Sequence, residues 1–134
     1  MSNGSGLQSW GIALLRVIVG IIFLMHGGQK LFMGFQNVAG FLGSLGIPLP
    51  NLGAIVLTAV EFLGGIALIL GLLTRCAAAL LTIDMLVALL TYHVKNGFFL
   101  PKGVEFAMLL LAANITLMLA GAGALSVDTL RKKA

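Results

Sequence analysis

The stretch "IALLRVIVGIIFLMHGGQKLF", residues 12–32, decides the fold. A membrane-spanning helix needs about 20 predominantly apolar residues. This run supplies them, with Arg16, His26 and Lys30 as its only ionisable members. Three more apolar runs follow at residues 52–73, 77–93 and 104–122. Of the 134 residues 60% are hydrophobic and only 9% charged, and mean hydropathy is +1.12. Soluble domains carry about a quarter of their residues charged. Too few charges are present to cover a surface facing water, so lipid is expected to cover it. The sequence therefore predicts an all-α, integral membrane four-helix bundle forming a single domain over residues 1–134.

The connections differ in length and character. Only "LTRC", residues 73–76, joins the second and third spans, which forces an antiparallel hairpin. Between the first and second lies "MGFQNVAGFLGSLGIPLPN", residues 33–51, without a charge. Its Val38, Phe41, Leu42 and Leu45 recur at helical spacing, Gly46 stands where a helix would be capped, and Pro48 and Pro50 stop any continuation. A short interfacial helix is predicted there. The third connection, "HVKNGFFLPKG", residues 93–103, offers turn residues, two lysines and the Phe98–Phe99 pair suited to a membrane–water boundary.

Four spans place both termini and the "LTRC" turn on one side. Arg16, Arg75, Arg131, Lys132 and Lys133 belong to that side, and Lys30, Lys95 and Lys102 to the other. The bias of Lys and Arg toward the cytoplasm puts the termini inside. The opening "MSNGSGLQSW" has neither a basic n-region nor an A-x-A site, so the first run is expected to stay as a span. The formal charge of +4 includes the terminal "RKKA", which reads as an anchor facing anionic headgroups. No basic stripe interleaved with aromatics is present, so a nucleic-acid surface is excluded. The single cysteine, Cys76, rules out an internal disulfide and any C-x-x-C redox pair, and it is expected to be a small buried side chain.

Ionisable residues inside spans are costly and face bundle interiors or wet cavities. His26 and Lys30 are four apart, on one helix face and about 6 Å apart along the axis. His26 lies about 10 Å below the outer edge, and Glu61 reaches a similar depth from the second span. His93 ends the third span and Glu105 begins the fourth. These five residues form a candidate polar layer in the outer half of the bilayer. Bland readings stand beside it. Lys30 can snorkel to headgroups, His93 and Glu105 can be interfacial, and His26 with Glu61 can simply glue two helices. Gly27–Gly28 and Gly64–Gly65 allow the close approach this needs. A second, inner pair, Arg16 with Asp84, is expected to neutralise itself. Asn114 is expected to hydrogen-bond across helices. No metal-ligand set is assigned.

The series "LLRVIVGIIFLMHGGQKLF", "FLGSLGIPLP", "VEFLGGIALILGLLTRCAA" and "HVKNGFF…VEF" resembles the DoxX family of small bacterial membrane proteins. The likeness runs from about Leu14 to Asp128, carried by Arg16, His26–Gly27, Lys30–Leu31, Glu61, Gly64, Thr74–Arg75, His93, Gly97 and Glu105 in order. Asp84 departs from the family pattern, which is apolar there. The resemblance implies a four-helix bundle in the bacterial inner membrane. It also implies a redox association, since the family takes its name from a quinone-reducing thiosulfate oxidoreductase, and other members belong with oxidative-stress or thiol-linked complexes.

Three functional classes follow. The first is a redox-linked subunit handling a quinone, with His26 and Lys30 as donors and Glu61 as proton carrier. No flavin, nicotinamide or other self-contained catalytic motif is present, so a redox partner protein would supply the electrons. Haem bound between His26 and His93 is disfavoured by their different depths. The second class is a small-solute or proton transporter, for which the positive charge of Lys30 beside Glu61 fits a cationic substrate poorly. The third is a structural or assembly subunit whose polar layer only fixes packing. Glycine-rich faces also suggest a homodimer.

Overall fold

The computed structural model describes residues 3–133, with side-chain surroundings over residues 6–132. Met1, Ser2 and the Lys133 side chain, counted in the terminal readings above, lie outside the described residues. Among the described residues six α-helices occur in chain order: α1 (Asn3–Met33), α2 (Phe35–Ser44), α3 (Pro50–Leu70), α4 (Thr74–Thr91), α5 (Glu105–Ala120) and α6 (Val127–Lys133). One 3₁₀ turn, His93–Asn96, follows α4. No strand occurs among the described residues. Helices α1, α3 and α4 are each long and apolar enough to cross a membrane, and α5 is an apolar helix of 16 residues.

Each predicted span corresponds to a helix, with shifted ends. The first begins nine residues before Ile12, because the loop after α5 docks on its early turns: the Ala124 N–H donates to the Ser9 carbonyl at 3.1 Å. The third begins at Thr74 rather than Ala77, because Gly71 (φ +68°) closes α3 with a Schellman pair and the turn is spent by Leu73. The same motif ends α2. The N–H groups of Gly46 (φ +79°) and Ile47 donate to the carbonyls of Gly43 and Leu42, so the expected cap residue performs that role.

Helix α1 packs most extensively on α3, and α4 on α5, while α3 also touches α4 and α2 lies against α3. Glycines set the α1–α3 distance. A Cβ on Gly20 would stand 2.8 Å from the Gly65 carbonyl oxygen, and one on Gly27 would stand 2.5 Å from the Phe62 nitrogen. Phe23, Leu68, Leu81 and Leu117 fill the middle of the bundle. Leu14, Ile18, Met25, Leu63, Ile83 and Leu109 are exposed on the outer faces. A soluble protein does not leave so much contiguous apolar surface uncovered, whereas a bilayer covers it. The short helix α2 buries Val38, Ala39 and Leu42 against Ala54 and Leu57 of α3, so it is a packed element of the bundle.

The end of the bundle opposite α2 is tied by two residues. Arg16, 1% exposed, donates to the carbonyls of Ala122, Ala124 (3.0 Å) and Leu125 (2.7 Å). Asp128 of α6 accepts the N–H groups of Leu73 (2.8 Å) and Thr74 (2.9 Å), capping α4 from a distant part of the chain. Burial alone would push this carboxyl up. The Thr74 and Leu73 N–H groups and the Arg131 guanidinium outweigh burial and hold it below the usual carboxylate range. A depressed folded-state value adds stability above the unfolded carboxylate value of about 4, and that stability is lost as pH falls through the folded value. Unfolding in mild detergent across an acid series should show this loss in the wild type, and Asp128→Asn should lack that component of it.

Candidate functional site

At the α2 end, α1, α3, α4 and α5 part around a cavity of about 610 Å³. Its walls are mostly apolar, with Leu57 and Val60 from α3, Met85 from α4 and Leu110 from α5. Phe41 and Leu42 of α2, with Leu45 just beyond its end, form a roof over it. The roof is fixed by an edge-to-face contact of Phe41 with Tyr92, ring centroids 5.5 Å apart, and Tyr92 in turn meets His93 at 5.0 Å.

The charged groups gather at one side of this cavity because of the glycine seam. Gly27 lets α1 rest on the backbone of Phe62, which sets the face carrying His26 and Lys30 beside Glu61. Lys30 Nζ donates to Glu61 Oε2 at 2.7 Å, and this is the only ion pair among the described residues. The Glu61 side chain is 8% exposed and that of Lys30 21%. His26 and His93 line the same cavity. The His93 Nδ1 lies 2.9 Å from the Lys102 carbonyl. A carbonyl only accepts, so Nδ1 carries a proton.

Four expectations are corrected. Arg16 and Asp84 do not pair. Arg16 is spent on backbone carbonyls at the α6 end, and α3 stands between most of α1 and α4. Asp84 instead lines this cavity on the side of Glu61. Counting α4 from Thr74 places Asp84 ten residues from its start and seven from its end, nearer the cavity. Glu105 does not join the layer. It accepts the Leu100 N–H at 2.8 Å and holds the loop before α5, and it does not line the cavity. Asn114 is fully buried, and both its side-chain polar atoms lack a partner. Cys76 is exposed.

Sequence reasoning missed Asp84 as a cavity residue, and it missed Tyr92 and Phe41. The spacing from Asp84 to Tyr92, eight residues or just over two helical turns, holds the only clue that they share a face. No three His, Cys, Asp or Glu side chains among the described residues gather as a metal site.

These features define a class: a small helical membrane protein with an apolar cavity and a charged wall near one end. The chain matches the DoxX family over residues 11–94, a segment that includes every ionisable residue of the cavity. It belongs to that family. It is 40% identical over 118 residues to "Putative oxidoreductase CatD" of Bacillus subtilis, covering 88% of this chain and 84% of that one. It is 32% identical over 123 residues to "Inner membrane protein YphA" of Escherichia coli, covering 87% of each. It is 35% identical over 133 residues to an "Uncharacterized protein" of Haemophilus influenzae, covering 96% of each. No solved structure matches the chain.

Proposed function

We propose that this chain is a redox-linked subunit of the bacterial inner membrane whose cavity holds a membrane quinone. It crosses the bilayer four times with both termini in the cytoplasm, so the cavity lies in the outer half. The observation that carries the reading is the cavity itself. Its volume of about 610 Å³ falls in the range of small-molecule sites. An apolar wall suits an isoprenoid chain, and His26, Lys30, Glu61, Asp84 and His93 surround the place for a polar ring. The naming of one relative as an oxidoreductase supports the same reading. Without a catalytic motif of its own, the subunit receives or passes electrons through a partner protein. His26 and His93 line one cavity, but an apolar pocket beside a Lys–Glu pair suits a quinone better than a haem.

The test is purification in mild detergent, followed by extraction and mass spectrometry of bound small molecules. A quinone is expected to co-purify near one per chain. Glu61→Gln removes the charge that holds Lys30 and should lower occupancy about tenfold, equivalent to roughly 1.4 kcal/mol. Wild-type protein free of quinone would overturn the proposal. The Lys30–Glu61 pair satisfies itself at 2.7 Å, which favours a second reading, a structural subunit. In that case Glu61→Gln lowers stability and no small molecule is found. A homodimer through the lipid-facing helices is compatible with either reading, and cross-linking in membranes tests it.

A further inference from the structure

Helices α3 and α4 form a fork. The turn at residues 71–73 joins them at one end, and near it they touch: a Cβ on Gly64 would stand 3.3 Å from the Leu81 side chain. About one helical turn further from the joint, the space between them belongs to the cavity. Helix α3 contributes Gly53, Val56, Leu57, Val60 and Glu61 to its lining, at positions i, i+3, i+4, i+7 and i+8. Helix α4 contributes Leu80, Ile83, Asp84, Val87 and Ala88 in the same pattern. Each set is one helix face, so two faces look at each other across a gap. Glu61 and Asp84 stand where the fork divides, and the other residues of the two sets carry no charge. The edges Val56 and Ile83 are 51% and 60% exposed, whereas Phe23 of α1 and Ala107 of α5, on the opposite wall, are each 2% exposed. The gap therefore opens on the surface that the bilayer covers. Beyond the fork tips the cavity is roofed, because α2 buries Val38, Ala39 and Leu42 against α3 and Phe41 meets Tyr92 just past α4.

A molecule dissolved in water would have to displace that roof and would then meet an apolar passage. One dissolved in the bilayer meets an opening lined with hydrocarbon, and its chain never leaves an apolar medium. Its head meets charge only at the foot of the fork. We propose that the α3–α4 fork is a lateral doorway, through which an amphiphile with one hydrocarbon chain enters from the bilayer, head first, and leaves its chain lying between the two helices. The ligand class is then a membrane-borne molecule with a small polar head, and a hydrophilic solute is not accepted. The identity of the head rests on the quinone reading above, while the route rests on the fork alone. A cavity of about 610 Å³ holds a drug-sized molecule. That is the ring and the first part of an isoprenoid chain, so the remainder passes out between Val56 and Ile83.

The experiment uses the full chain in lipid nanodiscs and two photoreactive probes. One is a decyl-substituted benzoquinone with a diazirine at its chain end, the other a phosphatidylcholine with a diazirine in its acyl chain. After irradiation, mass spectrometry locates the adducts. The quinone probe is expected on Val56, Leu80, Ile83 or Val87, and an excess of unlabelled decyl benzoquinone should suppress it. Adducts confined to α2, or to α1 beside His26, would overturn the doorway. Binding rates give a second readout. Ile83→Trp narrows the opening and leaves the charged residues in place, so it raises a barrier without changing either end state. Association and dissociation of the quinone should both slow about tenfold, with Kd within about twofold of the wild type. Leu63→Trp, on an exposed face of α3 outside the fork, should change neither rate. Lost affinity at an unchanged association rate, or equal rates in the two variants, would overturn the doorway, and Val56→Phe carries the same test if Ile83→Trp does not fold. If the quinone does not bind, the quinone reading falls and the lipid probe decides the route. Acyl-chain adducts on the half-buried Leu57 and Ala88 inside the fork support the doorway, and adducts limited to outward residues such as Leu63 overturn it.

Discussion

Gly65→Val is expected to prevent α1 from seating on α3. A Cβ at residue 65 meets the backbone nitrogen and Cα of Leu24 and stands 2.8 Å from the Gly20 carbonyl oxygen. These are backbone atoms in the middle of α1, so no side-chain rotation relieves the overlap. The whole helix must move away, opening the most extensive interface in the bundle. Overpacking that side chains can absorb costs about 1–3 kcal/mol, and this site, which cannot absorb it, should cost about 3 kcal/mol or more. The cavity would open as well, since the same seam sets Lys30 against Glu61. Thermal unfolding in detergent should show a collapse of the folded fraction. Gly28→Ala is the internal control. It is the neighbour of Gly27, and a Cβ there meets nothing within 4 Å, so helix propensity alone should leave it neutral or slightly stabilising. Equal behaviour of the two variants would show that the glycine seam does not set the α1–α3 distance.

Arg16→Leu should be comparably severe, for an electrostatic reason. The guanidinium is 1% exposed and gathers three carbonyls of the 122–125 segment. Leucine fills part of the volume but leaves those carbonyls without donors, at about 1–3 kcal/mol each where they stay buried. The loop would then release α6 and with it the Asp128 cap on α4. A loss on the order of 3 kcal/mol is expected in denaturant titration of the detergent-solubilised protein, together with faster proteolysis after residue 120. Arg16→Lys separates charge from geometry. A lysine keeps the charge but lacks the planar fork that reaches several carbonyls at once, so most of the loss should remain. Full recovery with lysine would show that charge, not the fork, holds the loop.

Both residues carried a signal in the sequence, but of different quality. The glycine pairs were legible as sites of close approach because small residues in apolar helices leave backbones free to touch. Which glycines touch was not legible. Gly20, Gly27 and Gly65 form the seam, Gly28 faces open space and Gly64 meets the side chain of Leu81. Arg16 was legible as a buried charge in need of a partner. Its partners are main-chain carbonyls, which have no residue signature, and a carboxylate at similar depth was the natural but incorrect guess. Depth and the glycine pairs pointed to His26 as the partner of Glu61, whereas the structure gives that contact to Lys30, one turn further along the same face of α1. Asp84 could not be placed, because its depth depended on whether α4 starts at Thr74 or Ala77, and its direction depended on rotation about the helix axis.

The amino-acid sequence by itself determined the all-helical membrane bundle, the four apolar helices and the Schellman stop at Gly46. These follow from local quantities, apolar run length and turn chemistry, which act within a few residues. Tertiary structure alone decided which charges meet. It moved Asp84 into the cavity, turned Glu105 to its own loop, spent Arg16 on carbonyls and assigned Asp128 to the start of α4. The physical reason is that hydropathy sets how deep a side chain lies, while its partner is set by the azimuth of each helix. Azimuth arises only when the glycine seam and the α4–α5 contact have locked the helices together.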